Sequence, residues 1–242
     1  MNITKKIESR INRLDPGIPF KYEQLAIERE EIGAAAKAIE RFLNKGFIKR
    51  ISRGVFYKPK QSVFGELGPS EDDFIKSYLF RKGKRIGYIT GTYLYNRMGL
   101  TTQFPKNIRC ASRVKRISTR IGNTQIKPVK SYVNVTEENV PLLELLDAFK
   151  DFKSIPDLDV PSSLAILKNK LKHLSDADLS TLIRYALKYP PRAQALLGAV
   201  LDNMGQKKLT GKLKENLNPL STFKLGINED ILPEVTRWNI KG

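Results

Sequence analysis

The sequence has one cysteine and one histidine in 242 residues. Cys110 therefore has no partner for an internal disulfide, and in its strand-like segment it reads as a small buried hydrophobe. Any histidine-based triad would rest on His173, which stands among Lys170, Lys172 and Leu174 and reads as an exposed helix residue. No apolar run approaches the roughly 18–20 residues that cross a bilayer. Asn2, Thr4 and Lys5 open a stretch that never enters a signal-peptide core. A cytoplasmic protein with no membrane partner is expected. Catalytic signatures are missing too: there is no G-x-x-x-x-G-K-S/T, no H-E-x-x-H and no C-x-x-C. No enzyme activity, metal or cofactor is expected. Glu71-Asp72-Asp73 is an acidic run, but consecutive carboxylates on a helix point different ways, and placement near a helix N-terminus explains them better. A nuclease with an unconventional carboxylate site stays open as an alternative.

Negative charge is scarce in the first half. The chain carries 43 Lys and Arg against 25 Asp and Glu, a net +18. Residues 1–60 hold 14 basic and 7 acidic side chains, and residues 61–140 hold 14 and 6. Residues 141–242 are nearly balanced at 15 and 12. The stretch 81–130 has 13 Lys or Arg and no carboxylate. A polyanion is the natural partner of such a regional field, because each neutralised phosphate releases a condensed counterion. With 40% hydrophobic residues, 11 Phe and 9 Tyr, the chain has globular composition and enough length for one large domain or two small ones.

Residues 1–60 read as a small domain. Ile3, Ile7, Ile11 and Leu14 recur at helical spacing over 2–14, and Asp15-Pro16-Gly17 stops that helix. Phe20 and Lys21 look extended, and Tyr22 to Ile27 suits a short second helix. A third helix is predicted near 32–45, with Ile32, Ala35, Ala36, Ile39 and Leu43 inward and Gly46 as its C-terminal stop. Phe47, Ile48 and Ile51 then form a strand, Ser52-Arg53-Gly54 a tight turn, and Val55 to Tyr57 the return strand. That order is the order of a winged helix-turn-helix, in which the third helix enters the major groove and the hairpin lies beside the backbone. On the third helix Ala34, Lys37, Arg41 and Lys45 share a stripe at spacings of three and four. Ala34 and Ala38 are small enough for close approach to bases. Lys37 and Arg41 are the candidates for base edges. Lys45, Lys49, Arg50 and Arg53 are the candidates for phosphate or minor-groove contacts. A solvated basic helix face beside a stray hairpin would show the same pattern.

Gly65, Gly68, Pro69 and Ser70 read as a connector to the remaining 61–242, of which 61–135 is mixed α/β and 136–242 mainly helical. Strands are predicted at Ile86 to Ile89, Ile108 to Ser112, Val114 to Ile121 and Gln125 to Val133, with a turn at Gly122-Asn123. They would make a small antiparallel sheet. A helix capped by Thr90 and ended by Gly99 stands between the first two. Arg109, Arg113, Lys115, Arg116 and Arg120 would make one sheet face basic. That face could be a second nucleic-acid surface or a partner site; charged strand edges that prevent aggregation would look the same. The later helices are marked by leucine-rich stripes that read as core, and an exposed one could form the dimer face that palindromic DNA favours. The fold class is α+β, with domains 1–60 and 61–242.

The run from Ala38 to Pro59 resembles the end of the N-terminal domain of AbiEi-type antitoxins of type IV toxin–antitoxin systems. Arg41, Lys45-Gly46, Ile48, Arg50, Arg53-Gly54 and Tyr57 carry the likeness, with Ile39 where leucine is usual and Phe42 ahead of Leu43. Gly99-Leu100-Thr101-Thr102-Gln103-Phe104-Pro105 is similar to a second turn motif of that family. The two motifs follow in family order within residues 1–130. The resemblance implies a DNA-binding autorepressor that recognises operator inverted repeats and neutralises a nucleotidyltransferase-like toxin, without requiring a stable complex with it. A winged-helix regulator unconnected to any toxin is the alternative.

Overall fold

In the computed structural model, which describes residues 2–63, 65–121 and 124–242, the protein is α+β. It divides into two compact units, residues 1–84 and 85–242. The first begins with α1 (Ile3–Asn12), capped where the Asn2 side chain accepts the Thr4 N–H at 3.0 Å. Ile7 and Ile11, one turn apart, are buried in a cluster with Phe20, Leu25, Ala35, Ala38, Ile39, Phe42, Ile48 and Phe56. β1 (Phe20–Lys21) is followed by single 3-10 turns at Tyr22–Leu25 and Arg29–Glu31. The predicted second helix stops at Leu25 because Ala26 turns left-handed, at φ 38°. α2 (Ile32–Asn44) ends at Gly46, φ +69°, whose N–H bonds back to the Leu43 carbonyl at 3.0 Å. β2 (Lys49–Ser52) and β3 (Val55–Tyr57) pair across the two-residue turn Arg53-Gly54, and β1 adds to β3, giving the order β1-β3-β2.

α2 is rotated from its predicted setting. Ala35, Ala38, Ile39 and Phe42 are its buried face, while Ile32 is 56% exposed and Ala36 lies in solvent. Phe42 carries more apolar surface than Ala36, and burying it turns Ala38 inward with it.

The first unit extends past residue 60, the boundary expected from sequence. β4 (Lys60–Ser62) and β5 (Gly65–Leu67) form a second hairpin, so that Gly65, expected to open a connector, begins a strand instead. α3 (Glu71–Leu79) follows, with Ser70 Oγ accepting the Asp73 N–H at 3.1 Å. Three ties hold this segment to the first sheet: Lys49 with Glu66, Lys21 Nζ donating to the Ser77 carbonyl, and Ser52 with the Tyr78 hydroxyl. Short strands β6 (Phe80–Arg81) and β7 (Lys84–Arg85) come next along the chain.

Across the first unit, Lys6 of α1 meets Glu31, just ahead of α2, with Nζ 2.9 and 2.8 Å from the two carboxylate oxygens. The Lys6 hydrogen bond, with the Glu28 N–H beside it, holds the Glu31 carboxyl below the usual carboxylate range. Its stabilisation is therefore present above the unfolded carboxylate value of about 4.3 and is lost as pH falls through the lower folded value. Glu31→Gln is expected to flatten the fall of the thermal midpoint between about pH 5 and 3. Identical acid limbs for the two proteins would contradict this.

The second unit joins a sheet to a helical bundle. β8 (Gly87–Thr90), β9 (Asn107–Ser112), β10 (Thr119–Ile121) and β11 (Thr124–Lys130) lie in the order β10-β11-β9-β8. Two pairings are antiparallel, as expected; β9 with β11 is parallel. The reason is the path of 113–118, which is a loop rather than the start of a strand and carries the chain past the position of β11 before β10 turns back. The predicted turn at Gly122-Asn123 lies outside the described residues. α4 (Thr92–Arg97) starts after Gly91 rather than Thr90; the Thr90 hydroxyl is buried and donates instead to Asp147 Oδ2 at 2.6 Å. The helices are α5 (Val140–Asp151), α6 (Val160–Lys172), α7 (Asp176–Ala186), α8 (Pro191–Asn203) and α9 (Gly211–Glu215). α8 is the centre: every residue from Ala193 to Asp202 is buried. The chain ends in a parallel pair, β12 (Phe223–Lys224) with β13 (Ile240–Lys241).

Candidate nucleic-acid interface

Lys37, Arg41 and Lys45, four residues apart, all lie in solvent along α2 and its C-terminal cap, as does Ala34. At 1.5 Å rise per residue their attachment points are about 6 Å apart along the axis. Ala38 is not on this face; at 1% exposure it packs inward and cannot meet a base. On the neighbouring hairpin Arg50 places its guanidinium 5.7 Å from the centre of the Phe56 ring. Arg53 is exposed at the turn, where Gly54 takes φ +75°. Tyr22, Arg50, Ser52 and Arg53 line a depression of about 640 Å³. Lys49 differs from the rest: its ammonium hydrogen-bonds to Glu66, which raises its pKa and spends part of its charge inside the protein. Among the described residues Lys37, Arg41, Lys45, Arg50 and Arg53 form no ion pair.

The second basic group splits in two. Alternation along the sheet puts Arg109 and its direct neighbour Lys127 on one face, together with Arg120 opposite Gln125. The stem of Arg109 crosses Gly91, where an added Cβ would come 2.8 Å from its Cδ. Arg113, Lys115 and Arg116 lie instead on the 113–118 loop, correcting their expected place on that face. With Lys130 they line a pocket of about 320 Å³. Ser112 Oγ shapes the loop by accepting the N–H groups of Val114 and Lys115, both at 3.3 Å. Lys127 and Lys130 were not singled out from sequence, because only the parallel register of β11 brings them beside β9. None of these seven cations has a carboxylate partner among the described residues.

The second family-like motif is a structural turn. Thr101 is buried and its hydroxyl accepts the Gln103 N–H at 3.1 Å, while Asn96 Nδ2 donates to the carbonyls of Thr101 and Gln103. Cys110 is buried, and burial pushes its thiol up to about 12, so no thiolate is available at neutral pH. His173 Nδ1 lies 2.7 Å from the Asn169 carbonyl on an exposed helix end. Among the described residues no three His, Cys, Asp or Glu side chains are grouped to hold a metal ion, and no helix is long and apolar enough to cross a membrane.

These features describe a basic α+β protein with exposed cations on α2, on the β2–β3 hairpin, on one sheet face and on the 113–118 loop. The chain belongs to the family described as a family of unknown function (DUF6088), which matches residues 6–150. It is similar to the crystal structure of the RV2827C protein from Mycobacterium tuberculosis at 12% identity, covering 92% of this chain and 84% of that one, with a TM-score of 0.48. No curated protein matches it.

Proposed function

We propose that the protein is a cytoplasmic duplex-DNA-binding repressor of the winged helix-turn-helix type that serves as the antitoxin of a type IV toxin–antitoxin pair. The observation that carries the DNA-binding part is the exposed row Lys37, Arg41 and Lys45 on α2, unpaired and beside an unpaired Arg50 and Arg53. Such a row has desolvated nothing and neutralised nothing within the protein, so its charge is available to phosphates. Arg41 supplies the planar fork for a guanine edge, Lys37 a second base contact, and Lys45 a phosphate contact. Lys49, tied to Glu66, contributes least. The sheet and loop cations of the second unit are a second surface suited to a polyanion. The antitoxin role rests on the resemblance carried by 38–59 and 99–105. In this reading the protein is not an enzyme, needs no cofactor, and binds inverted repeats as a homodimer.

Gel shifts with the DNA upstream of its own gene test the reading. Arg41→Ala is expected to weaken operator binding by about 1–3 kcal/mol and relax sequence preference, whereas Lys45→Ala weakens all DNA alike and reduces the salt slope by about one. Equal binding by both variants and the unmodified protein would overturn the assignment. Co-expression with the neighbouring gene product tests the antitoxin role: growth rescue supports it, and failure of rescue with DNA binding intact leaves a regulator without a toxin.

A further inference from the structure

We propose that the second unit carries a binding pocket for one small phosphorylated molecule of nucleotide size, separate from the cations assigned to DNA. The pocket has a volume of about 350 Å³. Three stretches distant in sequence build it: the end of α5 with its following turn, the first turn of α8, and β12. They contribute Lys150, Lys153, Ser154, Arg192, Thr222 and Lys224, and no carboxylate lines the cavity.

Its floor is preset. Lys150 is 8% exposed, with Nζ 2.8 Å from Asp147 Oδ1 and 3.5 Å from Asp151 Oδ2. Arg192 is anchored through Nε, which donates to the Lys150 carbonyl at 2.9 Å, and its Nη2 lies 3.8 Å from Asp151 Oδ1. Two carboxylates thus offset two of the four cations. Lys153 and Lys224 remain, both exposed and without a carboxylate partner among the described residues. The surplus of two positive charges matches the −1.5 to −2 of a phosphate monoester near neutral pH, about the same magnitude with opposite sign. Ser154 Oγ donates to the Asp151 carbonyl at 2.8 Å and keeps its lone pairs; Thr222 is an exposed residue of the lining. Half-buried Phe223 supplies an apolar wall. The volume stands at the low end of the roughly 300–1,000 Å³ of ligand pockets, room for a single nucleotide and not for a duplex. A polyanion surface spreads unpaired cations along a row, as α2 does; here the charges converge on one cavity and are half compensated.

Isothermal titration of the full-length protein with AMP, ATP, inorganic phosphate and a short single-stranded oligonucleotide tests the proposal. Saturable binding of a mononucleotide tighter than about 1 mM is expected, with inorganic phosphate weaker. The double variant Lys153→Glu, Lys224→Glu is expected to lose at least about tenfold in affinity, and Lys153→Gln, Lys224→Gln less, with thermal melts confirming that both are folded. Arg41→Ala is expected to bind nucleotide unchanged, which separates this site from the DNA reading. No mononucleotide binding, binding unchanged in the double variants, phosphate binding that a nucleoside does not improve, or binding of the oligonucleotide alone would each overturn it.

Discussion

Asp147→Ala is expected to cost about 3–5 kcal/mol of stability, the loss that follows when one partner of a buried ion pair is removed. Asp147 is 1% exposed. Its carboxylate accepts the Tyr88 hydroxyl at 2.9 Å and the Thr90 hydroxyl at 2.6 Å, and faces Lys150 Nζ at 2.8 Å. It therefore joins β8 to α5 through two hydroxyl contacts inside an apolar core, while its contact with Lys150 stays within α5. Burial pushes the Lys150 ammonium down, but the carboxylates of Asp147 and Asp151 outweigh it and hold its pKa above the ordinary lysine value. The lysine's share of the pair is accordingly present at neutral pH and is lost as pH rises through that raised value. Without Asp147, Lys150 keeps only Asp151 at 3.5 Å, and two hydroxyls lose their acceptor. Urea unfolding followed by the fluorescence of Trp238, the single tryptophan and a fully buried one, reads the effect. The double variant Asp147→Leu, Lys150→Met is expected to recover most of the loss, since apolar side chains of similar size replace a buried pair at little cost. A loss under about 1 kcal/mol for Asp147→Ala would show that the network does not hold the sheet to the bundle.

Gly198→Ala is the second large effect, about 3 kcal/mol destabilising. In a helix interior alanine ordinarily beats glycine by about 0.5–1 kcal/mol, so the sign is reversed here by contact. An alanine Cβ at 198 would stand 2.2 Å from Trp238 Cη2 and 2.4 Å from both Cζ2 and Cζ3. The ring cannot slide aside cheaply. Trp238 Nε1 donates to Asp202 Oδ2 at 2.9 Å, and Asp202 is itself held by the Thr210 hydroxyl at 2.7 Å and by Arg237 at 3.2 Å. Gly33 in α2 is the control, for nothing lies within 4 Å of its added Cβ, and Gly33→Ala should stabilise by up to about 1 kcal/mol. A gain in stability from both substitutions would refute the close approach of α8 and Trp238.

Local chemistry made much of this protein legible. Gly46 and Gly99 end helices where they were expected to, with left-handed φ of +69° and +77°. The acidic run 71–73 does stand at a helix start, and Ser70, expected to belong to a connector, caps that helix through its own hydroxyl. The order of α1, β1, α2, β2 and β3 follows from periodicity and turn residues. Misreadings arose where two local choices were nearly equal. The face of α2 was open because Ile32, Ala36 and Leu43 compete with Ala38 and Phe42 for the core. Thr90 can cap a helix or serve a buried carboxylate, and Asp147, far along the chain, decided for the latter. Gly65, Gly68, Pro69 and Ser70 read as a connector, but the strand from Gly65 to Leu67 pairs with Lys60–Ser62 and its Glu66 meets Lys49.

The distribution of charge and the positions of helices, caps and turns were set by the chain itself, because each depends on residues within a turn or two of one another. The parallel register of β9 and β11, the pairing of Lys49, the inward turn of Ala38, the seat of Trp238 on Gly198 and the convergence of Lys150, Arg192 and Lys224 belong to the tertiary structure. Each joins residues whose separation carries no local signal, and packing energy alone selects among the arrangements that the local chemistry allows.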